Sequence, residues 1–174
     1  MAKKRFQLNI PSSIWTSKMT LRLAQDVLAS IKLRTSQGLD ANGKKFKPYS
    51  TNPLYVSFRG ARLKPKGGRV SRTGNSVYYE DGYRQYKYES RRRGSSSDSA
   101  EVDLVLSGNM INNLVVKEAT ETGFTIGLTE NATYGYQVNF TREFLGLSPQ
   151  DVDILVKAAE NELRKQLEKG RGRR

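Results

Sequence analysis

Between residues 76 and 93 the chain sets phenols among cations. Tyr78, Tyr79, Tyr83, Tyr86 and Tyr88 are interleaved with Arg84 and Lys87 and followed by Arg91, Arg92 and Arg93. Cationic side chains neutralise phosphates and aromatic faces stack on bases, so the pattern can be read as a nucleic-acid platform. Tyr and Arg are also the residue types most enriched at protein–protein interfaces. Tyrosines alternating with charges suit a hairpin, turning at Asp81-Gly82, that packs on a neighbouring subunit. The interface reading is preferred, and a basic nucleic-acid-binding accessory protein is the alternative.

Little other chemistry is available. The chain has no Cys and no His. This excludes disulfides, thiolate chemistry, Cys/His metal sites and Ser-His or Cys-His nucleophiles. The acid pairs Glu80/Asp81 and Asp151/Asp153 stand at a turn and at a helix start, where capping and the helix dipole account for them. Asp40, Asn42 and Gly43 match part of a calcium loop, but the further ligands and the closing Glu are missing, and Lys44, Lys45 and Lys47 crowd the turn. No P-loop or GxGxxG pattern is present. The reading is of no catalytic residue, no cofactor and no metal, and hence not an enzyme.

The elements that must position these residues follow from periodicity. The 174 residues carry 30 Lys+Arg against 17 Asp+Glu, a net charge of +13. The length fits one domain, 1–174, able to bury roughly 70% of its unfolded surface. No stretch reaches the roughly 18 apolar residues of a membrane helix, so no membrane is expected as partner. Phe6, Leu8 and Ile10 alternate as a short strand over 5–11 that ends at Pro11. Leu23, Val27 and Ile31 predict a helix over 12–34, flanked by Ile14, Ala24 and Leu28, capped by Ser12 or Ser13, with Arg34 in the last turn facing the dipole. Gly38 serves as the C-terminal cap and Asn42-Gly43 as a turn.

Residues 59–100 form a basic excursion. They hold eleven basic and four acidic side chains, over half of the net charge, with flexible flanks around the expected hairpin. The core, 5–58 and 101–170, resumes with a half-buried strand at 101–108, a helical turn at 107–114 capped by Ser107, strands at 114–119 and 123–129, and a short helix at 131–140. The last helix, 147–170, has Ser148 as N-cap, Pro149 at its first position and Asp151 in its first turn. Its apolar stripe is Val152, Leu155, Val156, Ala159, Leu163 and Leu167. Residues 171–174 are a basic tail. The order predicts an α+β fold: a mostly antiparallel sheet packed by a long N-terminal and a long C-terminal helix, with the excursion extending from it.

Several of these stretches together resemble the tailed-bacteriophage virion morphogenesis, or tail completion, family. RTSQGLDANGKKFKPYS (34–50) is similar to that family's helix end, Gly-x-Asp-x-x-Gly turn, aromatic and Pro-Tyr-Ser step. VDLVLSGNMINNL (102–114) resembles its strand, Ser-Gly and short helix. TYGYQVNF (133–140) and REFLGLSPQDVDIL (142–155) resemble the segment and signature before its final helix. The resemblance covers 12–56 and 101–170. It implies a non-enzymatic α+β virion subunit of the head–tail neck or tail end, a tail completion or terminator protein. Such subunits join as a ring, commonly sixfold, and seal or join the tail to the head. Implied partners are further copies of the chain, neighbouring neck, connector or tail-tube proteins, and packaged DNA where the ring lumen meets it. The implied location is the virion, assembled in the host cytoplasm. Within the matching motifs, Gly38, Asp40 and Gly43 shape the turn, Phe46 and Tyr49 anchor it, and Arg142, Glu143, Phe144, Leu145 and Gly146 bring the last helix onto the core. Contacts between subunits are expected from the excursion: Tyr78, Tyr79, Tyr83, Tyr86, Tyr88, Arg91, Arg92 and Arg93.

Overall fold

The computed structural model describes residues 4–7, 15–61, 63–91 and 102–171. The fold is α+β as expected, but with two small antiparallel sheets in place of one. The first sheet has the order β1 (Lys4–Gln7), β6 (Gly123–Leu128), β5 (Leu114–Thr120). Phe124, Ile126 and Leu128 lie on one face of the fully buried central strand, while Gly123, Thr125 and Gly127 take the other. Helix α1 (Ser17–Ser36) packs on this sheet through Ala24, Val27 and Ile31. The strand pair expected at 114–129 is therefore present, with a bulge between Val116 and Glu118.

Helix α1 begins later than its apolar pattern predicts. Thr16, extended at φ -120°, accepts from Met19 N, so Thr16 is the N-cap and not Ser12 or Ser13. Those two serines, Ile14 and the second half of the strand expected over 5–11 lie outside the described residues. Trp15 is buried, donates through Nε1 to Thr20 Oγ1 at 2.8 Å, and joins Met19 and Leu23 against Leu155, Ala158 and Leu163 of the last helix. At the other end Gly38, at φ 80°, closes α1 with Gly38 N on Thr35 O and Leu39 N on Arg34 O, both at 3.1 Å. These two bonds satisfy end carbonyls in a turn that a residue with a Cβ resists.

Helix α5 (Pro149–Arg171) confirms the capping read from its sequence. Asp151 N donates to Ser148 Oγ at 3.1 Å, and Ser148 N donates back to Asp151 Oδ2 at 2.7 Å. Ser30 pairs with Asp151 and Arg22 with Glu162, so α1 and α5 run antiparallel. The stripe is only half used. Leu155, Ala159 and Leu163 are partly covered, whereas Val152, Val156 and Leu167 are 41%, 48% and 61% exposed.

The second sheet occupies the excursion and its approach: β2 (Leu54–Ser57), β4 (Ser76–Tyr79) and β3 (Arg69–Val70), with β4 central. The hairpin expected at Asp81-Gly82 is absent. Gly82 instead opens helix α2 (Gly82–Ser90), which lays Tyr86 on Tyr79 and Val77. Tyr79, Gly82/Tyr83, Tyr86 and Ser90 recur at helical spacing, and that period defeats the alternation read as a strand. The first flank is tied down and not loose: Tyr79 Oη donates to Lys66 O and Tyr86 Oη to Leu63 O, each at 2.8 Å. Residues 92–100 lie outside the described residues.

The strand expected at 101–108 is also absent. From 102 the chain is irregular, with Leu104 at φ 53°, yet Val102, Asp103 and Leu104 are buried. Side chains serve its backbone where a neighbouring strand would. Leu104 N donates to Tyr49 Oη at 3.2 Å and Val105 N to Asp103 Oδ1 at 3.0 Å. Helix α3 (Asn109–Asn112) follows with Gly108 as its N-cap in place of the expected Ser107, whose Oγ still accepts from Asn109 N at 3.4 Å, and α4 (Gly135–Thr141) fulfils the short helix expected at 131–140. Among the described residues no helix is long and apolar enough to cross a membrane.

Candidate functional site

The turn at 38–46 is built by one carboxylate. Asp40 Oδ1 accepts from Asn42 N and Lys44 N, both at 2.8 Å, and Asp40 N donates to Lys44 O at 2.7 Å. Gly43 takes the positive-φ place, and Phe46 is buried with its N–H on Gly38 O at 2.9 Å. Asp40 Oδ1 thus serves its own backbone in an Asx-type turn.

The segment 142–148 is fastened onto this turn. Ala41 N donates to Glu143 O at 2.7 Å, and Arg142 donates from Nε to Lys47 O and from Nη2 to Pro48 O, each at 3.1 Å. The Glu143 side chain meets Lys4 at 3.2 Å. Phe144 and Leu145 are buried, and their N–H groups both reach Asn139 Oδ1. Gly146 lies so close to Ala41 that an added Cβ would stand 2.7 Å from the Ala41 methyl. Arg34 completes the joint. Expected as a last-turn cation facing the helix dipole, it stands in that turn but is buried, paired with Asp151, and donates from Nη2 to Phe144 O at 2.9 Å and Gly146 O at 3.0 Å. Burial lowers its pKa from the ordinary value, and the Asp40 charge offsets part of that.

Tyr49 leads from this joint into a groove of about 650 Å³ between the second sheet with α2 on one side and residues 104–110 with α4 on the other. Leu54 and Val56 of β2, Tyr83 and Tyr86 of α2, and Tyr134 and Val138 of α4 form its walls. Residues 104 and 106–110 form a further side, and Arg142 stands at its edge. The phenol rings are continuous: Tyr49–Tyr83, Tyr83–Tyr86 and Tyr79–Tyr86 have centroids 5.2, 5.8 and 5.4 Å apart. Arg142 lies 5.2 Å and Lys87 Nζ 4.3 Å from the Tyr49 ring.

Behind Tyr49 is a buried ionic knot. Asp103 receives both Lys87 and Arg91, Lys87 also donates to Tyr49 Oη at 2.7 Å, and Arg91 donates to Val105 O. Burial pulls Lys87 down to about 8, against the upward pull of Asp103. Burial and the Asp103 charge push the Tyr49 phenol up. A largely apolar, aromatic groove with a cationic edge is suited to receive an apolar side chain or segment of a partner.

The residues expected to meet neighbouring subunits are divided by this arrangement. Tyr79 is buried and Arg91 is held by Asp103, so these two build the interior of the chain, while Tyr86, also buried, forms part of the groove wall. Tyr83 is partly covered and lines the groove. Tyr88, 62% exposed, and Tyr78 remain at the surface, and Arg92 and Arg93 lie outside the described residues. Sequence reading missed Tyr55, which is 65% exposed and stacks on Tyr78 with centroids 4.9 Å apart. Its signal was the alternation Leu54, Val56 against Tyr55, Ser57. Asp103 and Lys87 were missed as a pair because sixteen positions separate them.

Among the described residues no group of three or more acidic side chains could hold a metal ion. Fold and site together define an α+β protein with two small sheets and an aromatic groove beside the second of them. No protein-family model, curated protein or solved structure matches the chain.

Proposed function

We propose that this chain is a structural subunit of a tailed-phage particle, at the head–tail neck or tail end, where copies join as a ring and engage connector or tail-tube proteins. One observation carries the reading: the four stretches that resemble the tail completion family all converge on the groove. Tyr49 and Ser50 come from the first, Leu104 and residues 106–110 from the second, Tyr134 and Val138 from the third and Arg142 from the fourth. The groove is the place where an apolar segment of a neighbouring subunit docks. Leu106→Glu, a half-buried wall residue, tests this. Heads and tails are expected to accumulate unjoined while circular dichroism of the purified variant stays unchanged. Normal particles lacking the wild-type chain would overturn the proposal.

A second reading, nucleic-acid binding, is favoured by one feature. The register places Tyr55, Tyr78 and Arg69 in one row across β2, β4 and β3. Exposed Arg59 and Arg72 follow near one end of the sheet. Tight DNA or RNA binding by the isolated chain, with a steep salt dependence, would favour this reading over the structural one.

A further inference from the structure

The uncovered flank of α5 points to a second copy of this chain. We infer that two chains pair through α5, antiparallel about a two-fold axis near residues 159 and 160. At 100° per residue, Val152, Val156, Leu163 and Leu167 fall within one narrow stripe beside the face that packs on α1. Val152, Val156 and Leu167 are largely exposed and Leu163 is partly so, over roughly 22 Å of helix. An apolar stripe of that length on an otherwise polar surface marks a contact site.

Charge identifies the occupant. On the solvent side of the stripe stand Asp153, Lys157, Glu160 and Arg164, all exposed, and among the described residues none is in an ion pair. Their order is minus, plus, minus, plus, with spacings of 4, 3 and 4. Read backwards, the order is plus, minus, plus, minus with the same spacings. An antiparallel copy therefore sets Asp153 against Arg164 and Lys157 against Glu160, twice over, while Val152 meets Leu167 and Val156 meets Leu163. The four charges sum to zero, so the seam itself adds no like-charge clash, and the repulsion between two chains of net charge +13 acts from further away, where salt screens it. A two-fold contact of this kind is isologous and closes on itself. It is separate from ring contacts through the groove and needs no phage component, so it can hold or fail independently of the proposed function.

Sedimentation equilibrium of the full chain tests it. The wild type is expected to be a reversible dimer, Val156→Asp to weaken association about tenfold or more with unchanged circular dichroism, and Asp153→Arg or Arg164→Asp alone to weaken it. The double variant Asp153→Arg/Arg164→Asp should regain wild-type association, because each reversed charge again meets its opposite. The chain has no Cys. Glu160→Cys should therefore oxidise to a linked dimer near the axis, and Thr122→Cys, in the β5–β6 turn, should not. A wild type that stays monomeric, association indifferent to Val156→Asp, or no recovery in the double variant would each overturn the inference.

Discussion

Beneath β1, β6 and β5 the meeting side chains are Phe124, Ile126, Leu128 and Leu114, with Val27 and Ile31 from α1. Beneath β2, β4 and β3 the corresponding places hold Tyr79, Tyr86 and Val77, with Tyr83 alongside. The aliphatic core is satisfied by contact alone. The phenolic core must also find a partner for each buried hydroxyl, and it finds them in the carbonyls of Leu63 and Lys66. A chain with few aliphatic residues can thus build a second core, but only by making a surface loop part of it.

Asp103→Ala tests that difference most severely. It leaves Lys87 and Arg91 buried without their carboxylate, at a cost of about 3–5 kcal/mol. Hydrogen exchange should show protection lost across β2, β4 and α2 and kept in β5 and β6; simultaneous loss in both would erase the distinction between the two cores. Phe124→Ala, about 3–5 kcal/mol by cavity formation, should act in the opposite place. Tyr79→Phe is smaller, about 1–3 kcal/mol, because it leaves Lys66 O without its donor while volume is kept. Denaturant midpoints rank these three, and a silent Tyr79→Phe would mean that the hydroxyls are incidental.

Alkali separates the cores more gently. Lys87, brought down to about 8 from 10.5, gives up its proton in the folded chain before it does in the unfolded one. Stability relative to a Lys87→Met variant should therefore rise between about pH 8 and 10.5. The phenols of Tyr49, Tyr79, Tyr83 and Tyr86 are all pushed above their ordinary 10.0, chiefly by burial. The unfolded chain ionises them first, so stability should fall as pH climbs past that value. Melting temperatures from neutral pH upward would show both arms. A Tyr86→Phe variant should soften the alkaline fall, and one that leaves it unchanged would place its source elsewhere.

The aliphatic half was legible because its periods are clean. Leu23, Val27 and Ile31, the strand pair around residues 121–122, and the Ser148–Asp151 cap all appear where the pattern puts them. The phenolic half was not, for two physical reasons. Asp81-Gly82 is as good a helix start as a hairpin turn, and only the packing of Tyr86 on Tyr79 decides between them. Val102, Leu104 and Leu106 alternate like a strand, yet Leu104 N is held by the Tyr49 hydroxyl, a distant contact that no local pattern encodes, and Val105 N by the side chain of Asp103 two residues back. The candidate site was half visible: of the motif residues singled out, Tyr49 and Arg142 line the groove, while the others build the joint beside it. Arg34, taken for a dipole cation, turned out to bind the two motif segments together.

That arginine has a mechanical consequence. Arg34 bolts the end of the first helix to the start of the last, and Arg22 rivets the same pair further along. A tug on α5 along its axis therefore loads the seam with α1 in shear, so that several joints share the strain and none peels open alone.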